Sequence, residues 1–410
     1  DAADTADLLA YVDVDTNDDS IDTMLGLNDY FEAFYETYGR SVELVPFVST
    51  GIASDEVAAR ADAVRIAEDI QPFMVLGGPA LTSAFADELA ARGVLCLSCG
   101  PSQPQDWYAD RWPYVWAIDA SAGQKLAHAA EFIVAQLAGG NAEFAGDPAF
   151  RDQPRTYGLV FLESSATSVQ QADRFEADLA AGGITLSERV AYALDPATIQ
   201  QSASQAIARL KAAGVTTVLY SGDPIAPRDF TAEATAQDYF PEWVLAAPSL
   251  NDTNAFARTY DQQQWAAAFG VTSLSLRLEP SNSGYFRLYE WFNGEEPPAA
   301  DSIGVIGPLP AVMYAMFQEV GPNLTRERWA LALMDGESTT PAITQPSLNW
   351  GDTPFWPYID HHGIDDATLI FWDPDEVGPD EIRREGAGMW RFVDGGQRYL
   401  PGTWPSSSGL

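Results

Sequence analysis

Residues 72–100 read PFMVLGG, PALTSAFADELAARG, VLCLSCG. A short apolar run ends on glycines, an amphipathic segment opens on proline and closes on glycine, and a second short apolar run follows. This order constrains the fold more than any other feature of the chain. Short apolar runs without alternation are strands buried on both faces, and Pro79 and Gly93 stand where a helix starts and stops. Strand, helix and strand joined by short connections build a parallel sheet with right-handed crossovers. The pattern begins earlier, with strand LLAYVDV (8–14), a helix through IDTMLGLNDYFEAFYETYG, strand SVELVPFVS and helix SDEVAARADAVRIAEDI capped by Ser54. It restarts after strand YVWAID (114–119). Strands YGLVFL (157–162), ITLSERVAY, TVLYSG (217–222) and EWVLAAPS (242–249) then alternate with four helical segments. Two series of one grammar predict two similar α/β lobes. Residues 254–335 add a strand, GVTSLSL, and three helices, and the tail carries strand-like ATLIFWDPDE and GMWRFVDGG.

With 410 residues, 46% of them hydrophobic, the chain is long enough for two domains with large cores. No apolar run reaches the ~18 residues of a membrane span. The polar start at Asp1 is expected to be a mature end from which a leader, and with it a lipid anchor, has been removed. A net charge of -37 argues against nucleic acid, whose phosphates need a basic surface. Only Lys125 and Lys211 among 22 basic residues are lysines, an acidic, lysine-poor balance that suits a protein kept soluble in salt water or outside the cell, and that a GC-rich genome, which favours arginine over lysine, would equally produce. Cys96 and Cys99 are separated by two residues. In an extended strand their Cα atoms would lie about 10 Å apart, beyond the ~7 Å a disulfide tolerates, so two small buried residues are expected, with a disulfide the alternative if the segment turns.

Ligands of open parallel sheets sit beyond the carboxyl ends of the strands, where loops and helix N-termini expose N–H groups. Reading those ends gives the candidate ligand-binding set. It comprises Thr16 and Asn17; Gly78, Pro79, Ala80 and Thr82; Cys99, Gly100 and Ser102; Ser165, Ala166 and Thr167; Tyr220 and Asp223; and Ser249. Glycine lets a ligand approach the backbone and hydroxyls donate or accept, although such loops are also rich in Gly, Ser and Pro merely as turns and caps. Trp107, Tyr108 and Trp112 follow one of these loops and either stack on an apolar, aromatic or cationic ligand or pack the loop onto its own lobe. The acidic stretch DVDTNDDSID (13–22) places oxygens at positions 1, 3 and 5 of a calcium loop. It has Asp18 where glycine should be and Met24 where the bidentate glutamate should be. It is therefore expected to edge the site and to solvate or cap the first helix. His361 and His362 are adjacent, so they point apart and make a poor metal pair. No metal and no cofactor is expected.

Four stretches, VLGGPALTSAFADELAARGVLCLSCGPSQ, YGLVFLESSATSVQQADRFEADLAAGGITLSERVAY, SQAIARLKAAGVTTVLYSGDP and LPAVMYAMFQEVG with TRERWALALMDG, resemble in order and spacing the type I periplasmic solute-binding proteins of ABC transporters, the Leu/Ile/Val-binding group. The tail WDPDEVGPDEIRREGAGMWRFVDGGQRYLPGTWP looks like one found in actinobacterial members. The resemblance implies two Rossmann-like lobes with parallel sheets, joined by three crossovers near Asp119–Ala120, Ser249–Asn251 and residue 345. Lobe one would then be 1–120 plus 250–345, and lobe two 121–249 plus 346–410. It further implies a small-molecule ligand, amino-acid-like or related, held by residues 78–82 and 99–102, with Asp223 as the acid facing an ammonium group. It also implies permease partners and an extracytoplasmic location. Where amino-acid-binding members carry a D-x-A-Y-G turn, this chain has Ser165-Ala166-Thr167-Ser168, which weighs against a standard α-amino acid.

Alternatives to a transport receptor are a ligand-sensing module, which would need an attached helix-turn-helix or membrane span, and a hydrolase working through paired carboxylates. No G-x-S-x-G elbow, Walker loop or H-E-x-x-H is present, and three histidines leave little for acid–base work, so a non-enzyme is expected.

Overall fold

The computed structural model describes residues 8–13, 18–79, 81–275, 283–336, 346–381 and 384–406. They divide into two compact units: unit 1 is Asp1–Ser121, Arg277–Thr340 and Ser347–Ile364, and unit 2 is Ala122–Leu276, Pro341–Pro346 and Asp365–Leu410.

The chain opens with β1 (Leu8–Asp13), α1 (Asp18–Phe34), β2 (Glu43–Val48), α2 (Glu56–Arg65), β3 (Met74–Leu76), α3 (Ala84–Ala91), β4 (Leu95–Leu97), α4 (Gln105–Ala109) and β5 (Val115–Trp116). There follow α5 (Ala122–Phe132), α6 (Pro148–Arg151), β6 (Tyr157–Leu162), α7 (Ala166–Ala181), β7 (Leu186–Tyr192), α8 (Ile199–Ala212), β8 (Thr217–Ser221), α9 (Pro227–Ala236) and β9 (Glu242–Leu245). Next come α10 (Asn254–Ala257), α11 (Gln262–Trp265), β10 (Ala268–Thr272), α12 (Gly284–Asn293), α13 (Ile303–Ile306), α14 (Pro308–Val320) and α15 (Arg326–Asp335). The chain ends in β11 (Gly351–Asp352), β12 (Ile359–Asp360), β13 (Ala367–Pro379), β14 (Glu385–Phe392) and β15 (Arg398–Tyr399).

Unit 1 holds a parallel sheet in the order β2-β1-β3-β4-β5. Its central strands β3 and β4 are apolar at every position because both faces are covered. Met74, Leu76, Leu95 and Leu97 pack with α1 (Met24, Leu27, Phe31) and α14 (Met313, Tyr314, Phe317). The intervening Val75 and Cys96 face Ala59, Ala63, Phe85 and Leu89 of α2 and α3. Alternate residues of a strand point to opposite faces, which is how one unbroken apolar run fills two cores.

Unit 2 repeats the scheme. Its parallel strands lie in the order β10-β9-β8-β6-β7, and β13, β14 and β15 add antiparallel strands beside β10. Val218, Tyr220, Trp243 and Leu245 serve one core while Leu219 and Val244 serve the other.

Three expectations are corrected here. Residues 250–276 belong to unit 2, because β10 pairs with β9. Residues 347–364 belong to unit 1, where the 361–364 segment bonds alongside β5: Ala117 N donates to His361 O and Ile364 N to Ile118 O. The sheet of unit 2 is mixed and not wholly parallel, since the tail strands join it antiparallel. The crossing expected near residue 345 lies outside the described residues.

Candidate functional site

Each parallel sheet has the order 2-1-3-4-5 (β2-β1-β3-β4-β5, and β7-β6-β8-β9-β10 read the same way). In this topology the strand order reverses between the first and third strands, and the loops leaving those two strands diverge to opposite faces, opening a crevice at the carboxyl edge. In unit 1 the crevice lies beyond β1 and β3, and in unit 2 beyond β6 and β8. The candidate residues that are described lie in or near the loops that follow these strands, and their side chains do different things.

In unit 1 the loops after β3 and β4 are packed onto one another. A Cβ on Gly78 would stand 2.7 Å from the carbonyl oxygen of Cys99, and one on Gly100 would stand 3.2 Å from that of Thr82. Both glycines are needed for backbone to approach backbone, and Gly78 leaves no room for a larger residue. Thr82 is buried, and its hydroxyl accepts from Ala84 N, the first residue of α3, at 3.1 Å. Pro79 is buried as well.

Cys96 and Cys99 form a disulfide with a Cα–Cα distance of 5.8 Å. The expectation of two separate cysteines fails because Ser98 takes a left-handed conformation (φ 60°), which folds back a segment assumed to be extended. Cys99 is 1% exposed and offers a ligand no side chain. Ser102 is exposed. Thr16, Asn17 and Ala80 lie outside the described residues.

Trp107 is half-buried under the Arg111 guanidinium, 4.0 Å from the ring centroid, and Arg111 is itself bound to Asp87 at 2.6 Å. The indole is thus engaged by its own loop. Tyr108 is buried and stacks on His361 at 5.8 Å, and burial pushes its phenol well above the usual range. Of the three aromatics, Trp112 is the exposed one.

Gln105 anchors the start of α4 to the 359–362 segment. Its Nε2 donates to Asp360 Oδ1 at 2.8 Å, and its Oε1 accepts from His361 N at 3.0 Å. Those two bonds fix the amide orientation, so His361 donates its Nδ1 hydrogen to the same oxygen at 3.1 Å. His361 is neutral, with its pKa lowered to about 4, first by burial and then by neighbouring His362. Among the described residues no group of three or more His, Cys, Asp or Glu is placed to hold a metal ion.

In unit 2 the same edge is held by side chains. Asp223 is buried and its oxygens are engaged: Oδ1 accepts from Ile225 N (2.7 Å) and Ala226 N (2.9 Å), and Oδ2 accepts from Tyr192 Oη (2.6 Å). Tyr220 Oη lies 2.5 Å from Tyr192 Oη. Burial, reinforced by the Asp223 carboxylate, raises both phenols well above their ordinary value, so both stay protonated. Gly222 passes over this pair with no space for a side chain, a Cβ standing 2.2 Å from Tyr192 Oη. Asp223 thus serves its own loop at the start of α9: both of its oxygens already accept, from that loop and from Tyr192, which weighs against the role of ammonium acceptor that the resemblance implies.

Ser165 caps α7. Its hydroxyl accepts from Ser168 N at 3.3 Å, and Ser168 Oγ accepts from Ser165 N at 3.1 Å. Ser165 and Ala166 are exposed at this helix start and Thr167 is half-buried. Ser249 is exposed, and its N–H donates to Asn251 Oδ1 at 2.7 Å.

Between α7 and the ends of β6 and β8 lies a cavity of about 30 Å³, lined by Phe161, Leu162, Ser168, Gln171, Ala172 and Ser221 among others. It falls at the crevice that the strand order dictates for unit 2. Gln171 and Tyr192, absent from the expected set, are the side chains the structure adds. Gln171 sits on the same side of α7 as Ser168, at a spacing of three, a signal legible in sequence once the helix start is fixed. Tyr192 ends an edge strand, and only the sheet order brings it to Asp223.

No family model matches the chain, and no curated protein matches it. Solved structures of the same fold do. A substrate-binding protein of an ABC transporter from Sphaerobacter thermophilus superposes with a TM-score of 0.62 at 13% identity, covering 98% of this chain and 99% of that one. A leucine-, isoleucine-, valine-, threonine- and alanine-binding protein from Brucella ovis, in a closed conformation, gives 0.65 at 12% identity over 98% of each chain. A solute-binding protein of an ABC transporter from Rhodopseudomonas palustris, in complex with p-hydroxybenzoic acid, gives 0.64 at 11% identity over 98% of each. The chain therefore has the fold of type I periplasmic binding proteins along essentially its whole described length.

Proposed function

We propose that this chain is an extracytoplasmic solute-binding receptor of an ABC importer. It takes a small polar or aromatic molecule, amino-acid-like or related, on loops at the carboxyl edges of its two sheets and delivers it to permease subunits. The observation that carries this reading is the length of the structural match: about as much of each solute-binding protein is covered as of this chain, so no further domain of theirs lies unmatched. Two further features support it. The Cys96–Cys99 disulfide is of the kind that persists outside the reducing cytosol. No helix among the described residues is long and apolar enough to cross a membrane, which suits a receptor that meets its permease from the aqueous side. The receptor acts by binding, not by catalysis.

Because Asp223 is engaged internally and Thr167 stands in place of the turn tyrosine, the reading favours an acid or a neutral polar solute over a free α-amino acid. The test is mass spectrometry of small molecules carried through purification, followed by a thermal-shift screen of amino acids, amides and aromatic acids. A ligand at 100 times its Kd should stabilise the native protein by about 2.7 kcal/mol. If nothing co-purifies and no class of solute shifts the transition, the receptor reading is lost.

A further inference from the structure

At the last turn of α1, Tyr30 and Phe34 meet Trp291 and Phe292 of α12. Ring centroids are 4.9 Å apart for Tyr30–Phe34, 5.6 Å for Tyr30–Phe292 and 5.7 Å for Phe34–Trp291. Tyr30 and Phe292 are half-buried, but Phe34 is 56% and Trp291 70% exposed. Single exposed apolar residues need no explanation, whereas a contiguous aromatic group does. The candidate ligand loops do not provide it. A helix that follows a strand in a parallel sheet runs back against it, so the end of α1 lies at the amino edge of the sheet, opposite the carboxyl-edge loops.

The surround of this group is acidic. Asp29 is exposed on α1 beside Tyr30, Glu36 is exposed just past the end of that helix, and Glu290 and Glu295 are exposed beside the aromatics of α12. Asp22, Asp29 and Glu295 lie close enough to Tyr289, at the α1–α12 seam, to hold its phenol above the usual range after burial has raised it. Arg287 is the basic residue on α12. Exposed aromatic faces ringed by carboxylates match cations that carry apolar stems, since the rings attract a guanidinium and the acids pair with it. A second copy of a chain with net charge -37 is a poor occupant, as is an anionic membrane surface.

We infer that the Phe34–Trp291 face of unit 1 is a docking surface for an arginine-bearing segment of a partner protein, separate from ligand binding. The chemistry required of the partner is guanidinium groups interspersed with apolar side chains.

The test uses the full chain and two labelled peptides of equal charge, one alternating arginine with leucine and the other arginine with serine, followed by fluorescence anisotropy. At about 1 M salt, where the Debye length falls to ~3 Å, diffuse attraction to the acidic protein is removed. The arginine–leucine peptide is then expected to bind at least tenfold tighter than the arginine–serine peptide. Phe34→Ser with Trp291→Ser should abolish that margin, while Val57→Ser, at an apolar position on α2 that is even more exposed, should leave it intact. Equal binding by the wild type and the double variant overturns the inference. So does a concentration-dependent dimer, or binding to phosphatidylcholine–phosphatidylglycerol vesicles, that the double variant loses.

Discussion

The carboxyl edges of the two sheets share a strand order and differ in what holds them. In unit 1 the loops are tied covalently and by backbone contact: the Cys96–Cys99 disulfide, Gly78 against Cys99 and Gly100 against Thr82. In unit 2 they are tied by a polar network in which Tyr192 and two backbone N–H groups converge on Asp223. The first kind of lock responds to steric and redox changes. The second responds to loss of an acceptor. One topology thus leaves the chemistry of its crevice open to the residues that line it.

Acid should affect both units, and by the largest margin. His128 of unit 2 and His361 of unit 1 each have a pKa lowered to about 4, mainly by burial. The neutral form of His128 is held by Trp404 Nε1 donating to its Nδ1 (3.1 Å) while its Nε2 donates to Asp365 O (2.9 Å). Between pH 6.5 and about 4 the unfolded chain binds protons that the folded one refuses, so stability falls as pH drops through that window and is unaffected by these groups above it. At about 1.4 kcal/mol per pKa unit, each histidine accounts for roughly 3 kcal/mol. Calorimetry from pH 7 to 4 checks this, and a flat profile would show that neither histidine is held neutral.

Asp223→Ala should separate the units most sharply. It strips a buried and a part-buried N–H group and a buried phenol of their acceptor, at a cost of about 3 kcal/mol. The loss should appear in amide exchange of β7–α9 and leave unit 1 unchanged. If unit 1 loosens equally, the two edges are not independent.

Cys96→Ser with Cys99→Ser is the converse experiment. Closing so short a loop limits the entropic gain to about 2 kcal/mol. The loss should be confined to the β3 and β4 loops of unit 1, and reductant should reproduce it in the parent and have no effect on the variant. Ser165→Ala should have the smallest effect, about 1 kcal/mol from the missing cap of α7. Chemical denaturation resolves this, and a ligand that uses the exposed start of α7 would add a loss of affinity that a pure capping role would not.

Much of the fold was legible because strand and helix periodicity are local properties of a chain. The runs around Met74–Leu76, Leu95–Leu97 and Thr217–Ser221 are strands in the structure, and the loops between them are where the alternation put them. Boundaries set by long-range pairing were less legible. Nothing near Leu250 announces that β10 will pair with β9, or that 361–364 will run beside β5, because those hydrogen bonds join residues far apart in sequence. The site divides in the same way. Gly78, Gly100, Ser165 and Asp223 could be read as loop residues at a carboxyl edge. Whether such a residue faces solvent or serves its own loop depends on neighbours that only folding supplies: Ser98 turning left-handed between the cysteines, and Tyr192 brought to Asp223 from an edge strand.

The sequence by itself determined two α/β series, their strands and helices, an acidic surface unsuited to nucleic acid, and the set of loops from which a site can be drawn. These follow from spacing and composition, which act over a few residues or over the whole chain. Only the tertiary structure decided that Cys96 and Cys99 are joined, that Asp223 is engaged by its own loop and by Tyr192, that the tail completes the sheet of unit 2, and that Phe34 and Trp291 share one exposed face. Each of these depends on which distant atoms come within a few ångströms, and hydrogen bonds, disulfides and ring contacts are decided at that range.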